Sequence, residues 1–414
     1  MKKRGLFLGL LIVFSLASAA VSAKSFGVKY PMQKLLVTDF EKNQLESCEK
    51  RFLIEVQNPN SYDLDSTPVV VKIKDLDVPK DKSLVPGSFF VTDEKVEKVA
   101  LTQIDDMNED SIMDEIVFLA DIKAKSKAKF YIYYSKGGRV WQFHKRYTDG
   151  SALPGWESEL YGYRSYSSFI LDTFAKPKNN TGLILRMLYD EQLRQLYNHH
   201  TESEIGMDTL NVATTSGLAG VVFEVGGKKL QPSDGAMTSK VIVSGPVRTV
   251  VSFTKDAMST PGGKIKIERI ATIYAHHFET QVKDIVTISG GNGKGSYGIG
   301  LRKDPGDIEY KDMQKDGLFT QWHNQHKSIG EHGIGIYIPA KRIAKVGEDK
   351  DDHYVLIKDS TKGSKKIVLD FVAFAAWKGG KFVTNASEFK DFAYYIKNQQ
   401  GTVKVKIAKT DKLK

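Results

Sequence analysis

The sequence predicts an all-β protein, in which a small N-terminal β-sandwich is followed by a large antiparallel β-sandwich. Short segments rich in β-branched and aromatic residues recur along the chain, and clusters of Gly, Pro and Asn separate them. Apolar residues at helical spacing occur in only two segments, 183–196 and 385–399. Beyond the N-terminus no stretch has the roughly 20 apolar residues that cross a bilayer. We therefore expect few helices and no membrane span.

The first predicted domain covers residues 40–137 and consists of short strands. Turn residues follow each segment, and this spacing is typical of a small antiparallel sandwich. Gly137 and Gly138 end the domain. Its predicted strands are 51–56, 68–73, 88–91, 96–101, 115–119 and 130–134.

The second predicted domain covers residues 150–410, and its strands are longer. In 264–274, Lys and Ile alternate at the start, as expected for a strand with one buried face. The Gly-rich run at 290–295 lacks the Lys-Ser/Thr ending of a phosphate-binding loop. The predicted strands are 217–225, 239–243, 247–253, 264–274, 280–288, 298–301, 333–338, 353–358 and 365–374.

The N-terminal 23 residues predict a secretory signal peptide. Basic residues at 2–4 precede an apolar run from Gly5 to about Leu16, and small residues end at Ala23. A basic start, a short apolar core and a small-residue end are the three parts of such a signal. The core is too short for a membrane anchor. We therefore expect cleavage before Lys24 and an exported protein that is periplasmic or extracellular.

Composition restricts the cofactors and partners. The only cysteine, Cys48, excludes an internal disulfide. The formal net charge is +10, and +7 remains once the three charges at 2–4 are removed. This excess favours an anionic glycan over nucleic acid as the partner of an exported protein, although a solvated Lys-rich surface gives the same charge. Because no Walker or Rossmann motif is present, we expect no nucleotide cofactor.

An acidic segment of the first domain resembles a calcium-binding loop. Asp106, Asn108, Asp110 and Asp114 supply oxygen atoms at short intervals, and Ca²⁺ takes six to eight oxygen ligands. The loops of EF-hand-like and dockerin-like modules have a Gly at the sharp turn, where this chain has Ser111. We expect a structural calcium ion that clamps a hairpin, and the alternative is a solvated acidic turn.

Aromatic and ionisable residues of the second domain indicate a carbohydrate site. Aromatic rings suit the C–H faces of sugars, and Arg holds a carboxylate through two parallel hydrogen bonds. Histidine acts as an acid, a base or a metal ligand near neutral pH, but no His here has a recognised zinc spacing. Two adjacent His residues on a strand point to opposite faces, so at most one of each pair is expected in a site. The alternatives are packed strand residues and surface histidines. The substrate-binding candidates are Trp156, Glu157, Tyr197, Trp322, His323 and His326, and the catalytic candidates are Tyr161, Arg164, His200 and Asp208.

Several of these motifs resemble a domain family of unassigned function in secreted bacterial proteins, often encoded beside polysaccharide-degrading enzymes. The matching stretches are 156–164, 200–208, 244–248 and 105–121. The resemblance covers about 45–340 and implies that the second domain is similar to the galactose-mutarotase-like β-supersandwich, which several polysaccharide lyases also use. The family has no agreed catalytic residues, so the resemblance assigns no role to any position.

The first functional hypothesis is an enzyme that cleaves an acidic glycan by β-elimination. Arg164 would neutralise the uronate carboxylate and His200 would take the C5 proton. Tyr161 or Tyr197 would protonate the leaving oxygen.

Two other functions remain open. A glycoside hydrolase or a sugar epimerase would use Asp208 or Glu157 together with His200. A non-catalytic glycan-binding protein would use the same aromatic residues without turnover. Convergence of the polar candidates in one cleft would favour an enzyme.

Overall fold

The computed structural model describes residues 35–138, 146–180, 182–185, 198–232, 235–260, 263–289, 295–324, 330–361 and 365–414. The predicted signal peptide lies outside these residues, and so does the predicted helix over 183–196 apart from its first three positions. The described chain is almost entirely antiparallel β-structure, which confirms the all-β prediction. None of the described helices is long and apolar enough to cross a membrane.

The N-terminal sandwich consists of two sheets around one core. Apolar side chains such as Phe52, Ile54 and Phe118 fill the space between them. Over the described residues, the larger sheet has six strands in the order Leu35–Leu36, Lys98–Val99, Phe89–Asp93, Lys127–Tyr134, Lys50–Gln57 and Lys404–Lys412. The smaller sheet has three strands in the order Leu64–Lys72, Glu115–Ile122 and Thr102–Asp105.

The last strand corrects the predicted domain boundaries. The second predicted domain, 150–410, includes residues 404–410, but the strand Lys404–Lys412 pairs with Lys50–Gln57 in the N-terminal sheet. Ile407 packs against the N-terminal core, and this burial of apolar surface stabilises the pairing. Which sheet an edge strand joins depends on a contact between residues more than 300 positions apart, and a local pattern does not contain that information.

In the part of the chain that the structure describes, the large sandwich packs a ten-stranded sheet against an eight-stranded one. In Gly263–Tyr274, Ile265 and Ile267 are buried while Lys264 and Lys266 are exposed, as the alternating pattern predicts. The ten-stranded sheet has the order Ile343–Glu348, Asp352–Thr361, Gly295–Arg302, Leu218–Val225, Leu171–Ala175, Tyr161–Ser165, Gly155–Ser158 and Thr148–Asp149, with Met207–Asp208 and Lys228–Leu230 at its sides. The eight-stranded sheet has the order Met237–Ser244, Arg248–Thr260, Gly263–Tyr274, Thr280–Ser289, Lys365–Trp377, Glu331–Tyr337, Leu318–Asn324 and Ile308–Glu309.

The predicted helix over 385–399 is confirmed as Ala386–Gln399. Asn385 caps it, because its side chain accepts a hydrogen bond of 3.0 Å from the Glu388 N–H. Phe389 and Phe392 pack on the eight-stranded sheet, on the face away from the ten-stranded sheet. The other described helices are Asp39–Glu46 and the short 3₁₀ turns Ile73–Asp75, Pro86–Ser88, Lys311–Asp316 and Ala340–Arg342.

A buried polar contact joins the two sandwiches. The Arg248 guanidinium lies 2.7 Å from Asp105 and 2.7 Å from Glu115, both in the N-terminal sandwich. The side-chain oxygen of Gln103 accepts hydrogen bonds from the N–H groups of Val247 and Arg248. These hydrogen bonds across the boundary hold the N-terminal sandwich against the eight-stranded sheet. The N-terminal sandwich therefore does not cover the ten-stranded sheet on the opposite side.

Candidate functional site

A polar cluster lies on the face of the ten-stranded sheet that points away from the eight-stranded sheet, called the outer face below. Tyr163 and Leu171 point into the core between the sheets. Successive strand residues point to opposite faces, so their neighbours Arg164 and Asp172 point outward, and these two are cross-strand partners. Asp208 lies beside them because the strand Met207–Asp208 pairs with Leu171–Ala175, the strand that carries Asp172.

The cluster is held together by short contacts. The Arg164 Nη2 atom lies 2.6 Å from the Asp172 Oδ2 atom and 3.9 Å from the Asp208 Oδ2 atom. The Tyr166 hydroxyl lies 3.2 Å from the same Asp172 oxygen, and Arg164 donates to that hydroxyl. The Leu210 N–H donates to the other Asp208 oxygen at 3.1 Å. The two carboxylates are thus fixed beside one guanidinium.

Burial perturbs both carboxyl groups. Burial, and then the charge of Asp208, raise the pKa of Asp172 well above its usual range. Burial raises the pKa of Asp208 to about 6, against the opposing effects of its hydrogen bonds and Arg164. Burial and the charge of Asp172 raise the pKa of Tyr166 to about 12. Two carboxyl groups face one guanidinium, and a proton on one of them balances the charge of the cluster.

An open cavity of about 610 Å³ gives access to the cluster. Asp208 lies at its base and is 5% exposed, whereas Tyr166 at its rim is 36% exposed. His200 also lines the cavity, and its side chain is 66% exposed. The segment Leu210–Ala213 forms one wall. The volume is in the range of small-molecule sites, and the Arg164 guanidinium lies over the Tyr166 ring, 4.6 Å from its centroid.

His199 and His200 lie in a turn and not on a strand, which corrects the expectation that adjacent histidines diverge. Their ring centroids are 4.0 Å apart. The His200 Nδ1 atom lies 3.5 Å from the Asp208 Oδ2 atom. The Asp208 N–H donates to the His199 carbonyl at 2.7 Å, so the turn is tied to the strand that carries Asp208. Both imidazoles therefore lie beside the cluster.

The structure brings together three of the four catalytic candidates, Arg164, His200 and Asp208. Tyr161 is the exception, because its side chain points into the core, where the hydroxyl lies 3.2 Å from the Thr209 hydroxyl. It is 3% exposed, and burial raises the pKa of its hydroxyl far above the usual value. A direct contact with substrate, as its predicted role as an acid requires, is therefore excluded in this structure.

Two predicted substrate-binding residues are structural. Trp156 is completely buried, and its indole N–H donates to the Thr280 hydroxyl at 3.0 Å. Glu157 is buried beside Lys176, with 2.6 Å between the Oε2 and Nζ atoms. It also accepts the N–H groups of Ile184 and Leu185, and so anchors the segment that covers it. An aromatic and acidic composition suits a sugar site. In this fold, however, other segments of the chain cover both residues, so they lie in the interior.

In the second predicted group, Trp322 and His323 lie away from the cavity. Trp322 is 3% exposed and donates to Glu331 at 3.0 Å. His323 is completely buried, and its Nδ1 atom lies 2.8 Å from Asp307. These two predictions were wrong because the strand Leu318–Asn324 is covered on both faces. His326 and Tyr197 lie outside the described residues.

The acidic loop uses its oxygen atoms within the loop. Asp106 accepts the N–H groups of Glu109 and Ser111, at 2.6 and 2.7 Å. Asn108, Asp110 and Asp114 each accept a further N–H of the same loop. Within the described residues three groups of His, Asp and Glu bring their ligand atoms within 4.8 Å of one another, and this loop is not among them. Calcium binding there stays a prediction.

Asp172 and Tyr166 belong to the site but were missed from the sequence. Asp172 had a signal, since it is the only charged residue of the strand Leu171–Ala175. A charge on such a strand needs a partner, which makes it a candidate for a site. Tyr166 had no such signal, because its position depends on a loop. The pair His199 and His200 drew attention in the sequence, but only one of the two was expected in a site.

A model of the family described as "Domain of unknown function (DUF4861)" matches residues 56–407. The chain belongs to this family. Its description agrees with the resemblance to a family of unassigned function and adds no residue roles. The gene association and the likeness to galactose mutarotase stay predictions.

Two solved structures from Enterococcus faecalis share the fold. One is a protein in the glycosyl hydrolase family 38, with 9% identity and a TM-score of 0.52, covering 88% of this chain and 48% of that one. The other is an alpha-mannosidase from strain V583, with 10% identity and a TM-score of 0.51, covering 90% of this chain and 48% of that one. The chain spans about half their length, and at this identity the likeness shows the fold alone. No curated protein matches the chain.

Proposed function

We propose that the protein is a carbohydrate-active enzyme that binds a saccharide in the outer-face cavity and acts on it with Asp208. The observation that carries the proposal is the position of this carboxylate at the base of an open cavity, beside Asp172 and a single guanidinium. A carboxyl with a pKa near neutrality both gives and takes a proton, as acid–base catalysis on a sugar requires. Asp172 is completely buried, so it positions Asp208 and does not touch substrate.

Hydrolysis or epimerisation fits this arrangement better than β-elimination. A lyase needs a cation to neutralise the uronate carboxylate. Arg164 already lies 2.6 Å from Asp172 and its side chain is only 14% exposed, so its charge is committed to the protein. The fold shared with a glycosyl hydrolase family 38 protein and an alpha-mannosidase supports a carbohydrate as the substrate class.

The proposal includes a glycan ligand and a location outside the cytoplasm. The location is supported by the predicted signal peptide, and an anionic ligand by the positive net charge. The Asp208 carboxylate at the base of the cavity favours a neutral sugar unit at the reacting position, with any acidic units of the glycan farther out.

Product analysis on paired neutral and acidic oligosaccharides, mannosides included, tests the proposal. We expect turnover by the unaltered protein and a loss of about 10²–10⁴-fold in Asp208→Asn, the range for removal of an acid–base group. Asp370→Asn is the matched control, because that carboxylate is 71% exposed on the other sheet and far from the cavity. Thermal unfolding of both variants checks that they are folded.

Three results would contradict the proposal. Unchanged turnover in Asp208→Asn would exclude the role of this residue. Unsaturated products would restore the β-elimination hypothesis. Binding of a saccharide with no product from any member of the panel would make the protein a glycan-binding module.

A further inference from the structure

We propose that the cavity binds one divalent transition-metal ion, with Zn²⁺ as the best match, through His199, His200 and Asp208. The inference rests on the proposed function, because it names the ion with which the same cavity would bind a sugar. None of the zinc sequence motifs predicts this site, since its ligands are two adjacent histidines in a turn and a carboxylate eight residues later.

The three donors are close to the geometry of a zinc site. One ligand atom from each residue lies within 4.8 Å of the other two. The His200 Nδ1 and Asp208 Oδ2 atoms are 3.5 Å apart. Tetrahedral zinc with ligands at about 2.0–2.1 Å requires separations of about 3.4 Å between them.

The protein holds these donors in place. The Asp208 N–H donates to the His199 carbonyl at 2.7 Å, which fixes the turn against the strand. The Asn198 side chain accepts the His200 N–H at 3.1 Å. The Leu210 N–H holds one oxygen of Asp208, so the other oxygen is directed to His200. Such support around the ligands is typical of metal sites.

The charge of the cluster favours a cation at this position. Asp172 and Asp208 together face a single guanidinium, and Arg164 is closer to Asp172, at 2.6 Å, than to Asp208, at 3.9 Å. A divalent ion beside Asp208 would place a positive charge next to the carboxylate that Arg164 contacts less closely. Neutral imidazole and carboxylate are both ordinary ligands of zinc.

The other two metal-compatible groups among the described residues are already occupied by protein cations. In Asp304, Asp307 and His323, the guanidinium of Arg302 binds both oxygens of Asp304, each at 2.6 Å. In Glu309, Glu348 and His353, the Lys303 ammonium lies 2.9 Å from Glu348. No side-chain cation is that close to the Asp208 carboxylate among its described contacts. The cavity group is therefore the best of the three.

Three protein ligands leave one coordination position toward the cavity. This is the pattern of catalytic zinc sites, in which water or substrate takes the fourth position. A zinc ion held there would keep Asp208 ionised as a ligand, and a water molecule on the metal would then supply the acid–base function in its place. Arg164, Asp172 and Leu210 hold Asp208 in position, and the exposed side of His200 makes the position accessible from solvent.

Metal binding by the purified protein tests the inference directly. The protein is stripped with a chelator and titrated with Zn²⁺ by calorimetry, and with Co²⁺, whose visible absorption reports its coordination. We expect one strong site per chain. The double variant His199→Ala/His200→Ala should lose more than the roughly 10–100-fold in affinity that is typical for a residue that only supports a ligand. His353→Ala is the matched control and should bind as the unaltered protein does.

The outcomes separate this inference from the proposed function. Zinc affinity that is unchanged in the double variant, or that is lost in His353→Ala, overturns the metal site. Turnover of a saccharide that is equal before and after chelation also overturns it, while leaving the proposed function intact. One zinc per chain without any saccharide turnover supports the site and contradicts the proposed enzyme.

Discussion

Asp172 and His277 are both buried ionisable residues, but the chain balances their charges differently. His277 lies 2.8 Å from Glu279 and 2.9 Å from the Ser66 carbonyl, so its charge has one opposite partner and its second nitrogen is also paired. Asp172 shares a single guanidinium with Asp208. A pair of opposite charges stabilises the fold, whereas two carboxyl groups that share one guanidinium beside a cavity are available for chemistry.

The His277–Glu279 pair predicts a pH-dependent stability. Burial opposes the charged form of His277, but the charge of Glu279 and the hydrogen bonds outweigh it and raise the pKa of His277 above 6.5. The same pair lowers the pKa of Glu279 below 4.5, although burial opposes this. The contribution of His277 is full below pH 6.5 and is lost as the pH rises through its raised pKa. That of Glu279 is full above pH 4.5 and is lost as the pH falls through its lowered pKa.

Urea unfolding across pH measures this contribution. The free energy of unfolding of the unaltered protein minus that of His277→Gln should be largest between pH 4.5 and 6.5 and should decrease on both sides. Glu159 also faces His277 and adds to the raised pKa, so Glu279→Gln should weaken the dependence without abolishing it. A difference that does not change with pH would show that the pair is not ionised in the fold.

The short segment Gly182–Leu185 illustrates how a buried ion pair organises an element. Glu157 and Lys176 lie on neighbouring parts of the ten-stranded sheet, 2.6 Å apart and almost fully buried. Glu157 accepts two N–H groups of the segment, and Lys176 donates to the carbonyls of Ser158 and Gly182. Charged residues such as Glu157 and Lys176 are expected on a surface or in a ligand site. Here they attach the segment Gly182–Leu185 to the ten-stranded sheet.

Removal of one charge from this pair is expected to destabilise the fold. Glu157→Gln leaves the Lys176 ammonium buried without its counter-charge, and the expected loss in the free energy of unfolding is about 3–5 kcal/mol. Lys176→Met added to Glu157→Gln should restore part of it, because the uncompensated charge is then gone. Urea unfolding measures both, and Glu94→Gln, in an exposed pair with Lys129, is the control with little expected change. Equal stability of Glu157→Gln and the control would refute the structural role.

At the scale of the whole molecule, the two sandwiches pack against each other, and the cavity lies on the large one. The N-terminal sandwich closes with the C-terminal strand Lys404–Lys412, and Arg248 fixes it to the eight-stranded sheet. The cavity lies on the outer face of the other sheet. The family match over 56–407 spans both sandwiches, so they occur together as one unit.

Export is the prediction that belongs to the chain as a whole. We expect the mature protein, expressed in a bacterium, to begin at Lys24, and mass spectrometry of the periplasm and the medium measures this. Leu11→Arg interrupts the apolar core of the predicted signal and should keep the protein in the cytoplasm at full length, whereas Leu11→Ile should have no effect. Cleavage and export of Leu11→Arg would show that residues 1–23 do not direct export.

The sequence by itself determined most of the described secondary structure and three residues of the candidate site. The alternation in Gly263–Tyr274 and the Asn385 cap are local patterns. Such patterns predict a strand or a helix end without knowledge of the tertiary contacts, provided that one face of the element is buried. The motifs also contained Arg164, His200 and Asp208, which the fold brings together.

Only the tertiary structure decided which of the remaining residues meet at the site. Trp156 and His323 look like binding residues along the chain, but segments distant in sequence cover them. Asp172 and His199 enter the site because both of their elements contact the strand Met207–Asp208. The strand Leu171–Ala175 pairs with it, and the Asp208 N–H donates to the His199 carbonyl. Burial and long-range pairing depend on contacts between distant positions, and a sequence pattern read in short windows does not specify them.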